Sequence, residues 1–462
     1  MKLVSIGDFP VLNFGDKRRD ERFVKIINNV VSRPSSSIPQ QTGNWYETKA
    51  TYNFFKSKSV KLKSIEEAVQ SYGGSQLAGL KKVLVAHDFC QVSFNGLDAT
   101  EGLGYLANSS SLGIITYNSI AVSTEGVPLS LLYQHTFTRA LENLGKAENR
   151  HGTTFEDKES YHWYKGMAAA SKSLGSEVQA VHIADREADI YELFAAAEPG
   201  HSDLLIRSTH NRRLKSSGAE GSEEAGCLWD KLSGSPVAAE VALKIPEARS
   251  TKRVEITASV QFEKVVVQKP SSSKSKQESV GLTAILLRQV SPKEDWQEDP
   301  VEWKLLTSLR VESVADALQC VLWYCYRWLI ERFHYVLKSG TGVEDLQLEK
   351  ATSLQKALHL YSMAAMEIMK LAYLSRAMPA ASCELVLTKE QWAVLYMLTF
   401  KTAVLPETPP TMEEATKWIG KLGGHLGRTA DGPPGVKVIW RGYRKLIDAV
   451  EMYAILTKEK FG

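Results

Sequence analysis

The sequence predicts an α/β protein: a core of mixed β-sheet flanked by helices, interrupted late by a β-rich insertion, with helical regions at both ends. Three observations carry this. Two apolar runs, Val83 to Val85 and Val178 to Ala184, lead into aspartates, Asp88 and Asp185, and read as buried strands. Between residues 213 and 310, Val, Ile and Leu alternate with polar residues, whereas residues 313 to 340 and the stretch beyond about 370 carry apolar residues at helical spacing. At 462 residues and 44% hydrophobic, the chain exceeds one core and suggests about three domains, 1–65, 66–370 and 371–462.

Charge separates the first domain from the rest. Residues 1 to 63 hold twelve Lys and Arg against five Asp and Glu, a net +7, which leaves −4 for the remainder of a chain whose total is +3. Such a segment is either a solvated face or an electrostatic footprint for phosphates, and the unevenness favours nucleic acid. Within it, Gly15 to Val31 reads as an amphipathic helix with Phe23, Ile26, Ile27 and Val30 inward and Arg18, Arg19, Arg22 and Lys25 outward. A Pro/Ser loop (Arg33 to Pro39) precedes a second helix through Trp45, Ala50, Tyr52, Phe54 and Phe55.

The core begins with a helix over about Ser64 to Gly79 and the strand that ends in Asp88. Gly113 to Ser123 and Pro128 to Gln134, joined by the turn Glu125-Gly126, make an antiparallel meander with it, and a helix follows over roughly Phe155 to Leu174. The fourth strand ends in Asp185, a helix starts near Asp189, and Asp203 to Ser208 forms a fifth strand. Each Asp alone reads as a turn or cap residue. His87 and Cys90 flank the first acid and are expected to be packing residues turned away from it by the strand pleat.

The insertion's expected strands are Val237 to Ile245, Val254 to Val267, Val280 to Val290 and Val301 to Leu309, with Lys269 to Glu278 as a mobile hairpin tip. Residues 313 to 340 then read as one long helix, N-capped by Ser313 with Asp316 and stopped by Gly340. On it Tyr324, Arg327, Glu331 and Lys338 fall within an arc of about 60°. Taken alone this stripe fits an internal ion-pair ladder, Arg327 to Glu331, as well as a reactive face. The C-terminal glycines Gly423, Gly424 and Gly427 follow no strand and precede no Gly-Lys-Ser/Thr, so they read as a helix C-cap and loop rather than a phosphate cradle.

The spacing Tyr324-x2-Arg327-x3-Glu331-x6-Lys338, continued by Phe333-His334 and Gly340, resembles the motif of DDE transposases of the insertion-sequence-four family, typified by transposon five. Gly15-Asp16-x-Arg18-Arg19, Ala50-x-Tyr52-x-Phe54-Phe55, Asp185-Arg186-Glu187-Ala188-Asp189, Leu422-Gly423-Gly424 and Trp440-x-Gly442 continue the likeness along the chain. It implies a ribonuclease-H-like core in which the first and fourth strands lie side by side and bring Asp88 and Asp185 together with Glu331. It further implies two Mg²⁺ ions, replaceable by Mn²⁺, bridged by Asp88 and held singly by Asp185 and Glu331. Carboxylates without Cys or His suit such hard ions.

The implied activity is cut-and-paste transposition: binding of terminal inverted repeats, a nick, a hairpin, its resolution, and strand transfer into target DNA by a homodimer. DNA contacts are implied for Arg18, Arg19, Arg22, Arg207, His210, Arg212, Tyr324, Arg327 and Lys338, and a flipped base for Trp303 and Trp328. Phe89 stands where relatives often have Thr. A catalytically silent DNA-binding regulator of the same descent is the alternative, and a plain structure-selective nuclease would require neither terminal domain. Five cysteines without a C-x-x-C pair argue against a disulfide framework or zinc site. With no apolar run near the roughly 18 residues that span a bilayer, and no signal-like N-terminus, the expected compartment is the bacterial cytoplasm, at the nucleoid.

Overall fold

The computed structural model describes residues 4–458 apart from 95, 98, 108–110, 141, 143–154, 216–225, 247–252, 291–299 and 429–430. Helices α1 (Lys17–Ser32), α2 (Ile38–Thr42), α3 (Trp45–Lys56) and α4 (Leu62–Ser75) lead into β1 (Lys82–Ser93), β2 (Gly104–Tyr105), β3 (Leu112–Val122) and β4 (Pro128–Phe137). Then come α5 (Tyr161–Leu174), β5 (Gln179–Ala184), α6 (Tyr191–Ala195), β6 (Ser202–Arg207) and α7 (Leu228–Gly234). The insertion contributes β7 (Ala239–Pro246), β8 (Arg253–Gln268), β9 (Ser279–Gln289) and β10 (Glu302–Thr307). Helices α8 (Val314–Cys325), α9 (Trp328–Tyr335), α10 (Ala351–Ala377), α11 (Lys389–Phe400), α12 (Met412–Leu422) and α13 (Val436–Lys458) complete the chain.

Among the described residues one ten-stranded sheet joins the strands, in the order β2-β3-β1-β5-β6-β10-β9-β8-β7 with β4 also on β3. β1, β3 and β4 form the antiparallel meander, while β5 and β6 run parallel to β1. That is the ribonuclease-H-like arrangement, with the first and fourth core strands adjacent. The insertion does not stand apart. β10 pairs antiparallel with β6, so its strands extend the core sheet sideways.

Pleating sorts the strand residues between two helical layers. Leu84, Ala86, Val181, Ile183, Leu205 and Leu305 belong to the core shared with α8, α9 and α10. Val83, Val85, Ala180 and Leu132 pack instead with Ala170 and Leu174 of α5. Helix α10 also receives the N-terminal helices: buried Lys356 donates to the carbonyl oxygens of Phe55 (3.1 Å) and Ser57 (2.9 Å) at the end of α3. The boundary expected near residue 370 falls inside this continuous helix.

Local expectations met three further outcomes. Residues 269–278 fold back rather than project, because Ser273 Oγ donates to Glu192 (2.6 Å) and Tyr191 donates to the Gln277 carbonyl (2.8 Å). Gly423 does cap α12, and a Cβ there would lie 1.9 Å from the Val438 carbonyl oxygen, while one on Gly442 would lie 1.8 Å from that of Ile419. Those glycines let α12 and α13 cross backbone against backbone. Among the described residues, no helix is long and apolar enough to cross a membrane.

Candidate active site

Asp88 does not end its strand; β1 continues five residues further, opposite β3, with Asp88 level with Asn118. What ends is the parallel partner. The register Ala86↔Ile183, carried two residues on, sets Asp88 level with Asp185, which follows the last residue of β5. Parity then fixes their direction: Asp88 alternates with Leu84 and Ala86, and Asp185 with Val181 and Ile183, so both turn toward the helix layer that contains α9. Arg207, two residues after Leu205, and Trp303, two residues before Leu305 on the antiparallel β10, share that face.

The helix carrying Glu331 is not the single regular rod expected. Around Tyr326 and Arg327 its bonds tighten to i→i−3, with Arg327 N donating to the Tyr324 carbonyl (3.0 Å) and Ile330 N to that of Arg327 (3.1 Å). Side chains three apart eclipse in such a turn, which lines Tyr324 up with Arg327. Four residues on, Arg327 Nη2 donates to Glu331 Oε1 at 2.8 Å. Val336–Gly340 then form a π-turn, and the left-handed glycine after it is Gly342 (φ 67°) rather than Gly340, whose role is close contact with Trp440. Lys338, on that turn, lies 3.8 Å from Glu344, whose carboxylate accepts from Ser93 N at the end of β1. The expected caps, Ser313 and Asp316, form a full capping box.

Electrostatics tie the three acids together. Asp88 is half-exposed as a residue, yet its carboxyl is enclosed by protein, and burial, then the charge of Asp185, with Glu331 adding less and Arg327 opposing, push it up to about 8. The oxygens are not gathered, however. Glu331 is turned onto Arg327 and Asp185 accepts from Glu187 N (2.9 Å). Among the described residues no group of three or more His, Cys, Asp or Glu converges closely enough to hold a metal ion.

The neighbourhood is held by polar contacts that sequence reasoning missed. Asn118 Nδ2 donates to His334 Nε2 (3.0 Å), while Asn118 Oδ1 accepts from Gln134 (2.8 Å), which also donates to Ser362 (2.7 Å). This chain fastens α9 and α10 to β3 and β4, and burial holds His334 neutral by pushing it down to about 3. The signal was present: an asparagine within the apolar run Ile114 to Val122 needs a buried partner. On the opposite face His87 contacts Ser119 and His182, each at 2.8 Å, so it is a packing residue as expected. Cys90 is not turned away from Asp88. Two residues further along the strand, it shares that face, its thiol pushed up to about 12 by burial.

Two expected DNA contacts are committed elsewhere. Arg212 donates from Nε (3.0 Å) and Nη2 to the fully buried carboxylate of Asp189, which also accepts from Thr209 N (2.7 Å) and His210 N (2.9 Å). Arg22, expected to point outward, is mostly covered and pairs with Glu47, which also takes Lys25 at 2.9 Å. Arg19 is half-buried and donates to the Phe14 carbonyl (3.0 Å), whereas Arg18 and the ring of His210 stay at the surface. Arg207 lies beside the Tyr324 hydroxyl. Trp303 meets the Tyr324 ring edge-on with centroids 5.2 Å apart, and the Arg327 guanidinium lies 6.0 Å from the Trp328 ring.

Two family models match the chain. Residues 7–60, which contain α1 to α3, match one described as Transposase DNA-binding, and residues 363–457, from within α10 to α13, match one described as Transposase Tn5 dimerisation domain. Both matches support a Tn5-like transposase. As a DNA-binding transposase it has DNA and a second copy of itself as partners, and the matched stretches flank the acid-bearing core just described. In the dimerisation stretch the close crossing at Gly423 and Gly442 gives these two glycines a packing reason.

Proposed function

We propose that this transposase moves its element by cut and paste, with Asp88, Asp185 and Glu331 as the catalytic acids. The observation that carries the reading is that the β1–β5 register, carried two residues beyond Ala86↔Ile183, sets Asp88 level with Asp185 within electrostatic reach, beneath the helix that bears Glu331. An acid displaced toward about 8 by burial and a neighbouring carboxylate fits a divalent cation, whose charge relieves both costs. Asp88 would be shared by two Mg²⁺ ions, or Mn²⁺, with Asp185 and Glu331 holding one each. When bound, the ions supply an activated water and charge neutralisation at the phosphodiester.

The chain's own groups do the rest. Arg327, paired with Glu331 in the free protein, would exchange that carboxylate for a phosphate when Glu331 turns to its ion, and with Lys338 and the Tyr324 hydroxyl would offer the phosphate two charges and one directional donor. Arg207 beside Tyr324 extends the same positive face. Trp303, half-buried and edge-on to Tyr324, provides an aromatic wall for a base removed from the stack while a hairpin closes.

Incubating the protein with duplexes carrying the element's terminal inverted repeats, Mg²⁺ and a target plasmid tests this. Nicked, then hairpin-ended, then resolved and inserted products are expected, and all should vanish in Asp88→Asn, Asp185→Asn and Glu331→Gln while end binding persists. Binding without cleavage by the wild-type protein would identify a silent regulator instead.

A further inference from the structure

The start of α3 raises two large aromatic side chains into solvent: Trp45 is 78% and Tyr46 74% exposed. Among the described residues no other Trp or Tyr is as open. Neighbouring rings so poorly covered represent apolar surface that folding leaves without use. Their surroundings are cationic. Arg18, its side chain 87% exposed, lies within electrostatic reach of the Tyr46 hydroxyl, and Lys49 is exposed one turn along α3. Of the acids on this edge, Glu47 is turned inward onto Arg22 and Lys25, while Asp16 pairs with Arg18 at the surface (3.0 Å) and leaves that guanidinium open to solvent.

We propose that Trp45 and Tyr46 form an aromatic wedge against the sugar and base edges of a groove in duplex DNA, while Arg18 and Lys49 hold the flanking phosphates. The inference rests on residues 7–60 being the DNA-binding part of the chain and names the contact that part makes. Charge chooses this occupant: the +7 segment that carries the rings suits a polyanion rather than a second copy of the same positive face. Rings supply contact without charge, and so add a grip that salt does not screen.

The two contributions separate in a salt titration. Binding of the full-length protein to a fluorescent duplex carrying the terminal inverted repeat, and to a scrambled duplex, is followed by anisotropy at several KCl concentrations. Trp45→Ala and Tyr46→Ala should each weaken repeat binding by about ten-fold, with the slope of log Kd against log salt unchanged. Trp45→Phe should restore most of the loss. Arg18→Ala should instead reduce the slope by about one. Wild-type affinity in the Trp45→Ala, Tyr46→Ala double variant overturns the wedge, as does an altered sedimentation state with DNA affinity intact, which would assign the rings to a protein contact. A wild-type protein that binds neither duplex overturns the DNA reading along with it.

Discussion

Replacing Asp88 by Asn should make the metal-free protein more stable at alkaline pH, although it destroys the proposed catalysis. The carboxyl is held at about 8, against an ordinary value of 3.8, chiefly by burial and then by Asp185. The folded state therefore binds this proton more tightly than the unfolded chain does. Stability falls as pH rises from near 4 toward 8 and levels off above that. At about 1.4 kcal/mol per unit the full displacement sets a ceiling of about 6 kcal/mol, and rotation of this half-buried group toward water brings the expected penalty to about 2 kcal/mol at pH 8. An asparagine amide keeps the shape without the charge. In urea unfolding followed by tryptophan fluorescence in EDTA, the variant should match wild type near pH 4 and exceed it by about 2 kcal/mol at pH 8. Saturating Mg²⁺ should then stabilise the wild type more than the variant. Parallel pH profiles in EDTA, or a variant less stable throughout, would refute the account of Asp88 as a strained acid.

Arg212→Ala should cost about 3 kcal/mol, because it leaves the buried Asp189 carboxylate with backbone donors but without its cation; an unchanged unfolding midpoint with a reduced DNA salt slope would restore the DNA role. Gly442→Ala sets a methyl against the Ile419 carbonyl and should loosen α12 from α13 at about 3 kcal/mol, seen as an earlier thermal transition and loss of the dimer in sedimentation; wild-type behaviour in both would show that the helices can part freely. Trp303→Ala should nick terminal repeats normally yet accumulate nicked, unclosed ends, and an abasic site at the flipped position should partly rescue closure. Hairpin closure at the wild-type rate would leave Trp303 as packing against Tyr324.

Much of the architecture is local in origin and so was legible. The continuous apolar burial of β1, β3 and β5, the Glu125-Gly126 turn, the amphipathic α1 and the Ser313 cap each depend on residues a few positions apart. The acids were legible for the same reason: apolar runs stop at Asp185 and change character at Asp88. The helix stripe is legible in the spacing, but its geometry is not. A tight turn at Tyr326 and a π-turn at Val336 both depart from 100° per residue, and nothing in the local pattern announces either.

Charges show the limit most clearly. Arg18 and Arg22 read alike on the outward face of one helix, yet α3 brings Glu47 over the second and covers it, while the first stays in solvent with its neighbour Asp16. Arg212 and Asp189 are 23 residues apart, and only the strand that returns between them makes the pair. Composition can say that a chain holds enough cations to bind DNA. Which of them are already neutralised is decided by the contacts of the fold, because a charge's cost and its partner both depend on what surrounds it in space rather than along the chain. The sequence by itself determined which side chains alternate to each face of a strand and which residues could do chemistry. The tertiary structure decided that β1 lies beside β5, so that two aspartates 97 positions apart share one electrostatic environment.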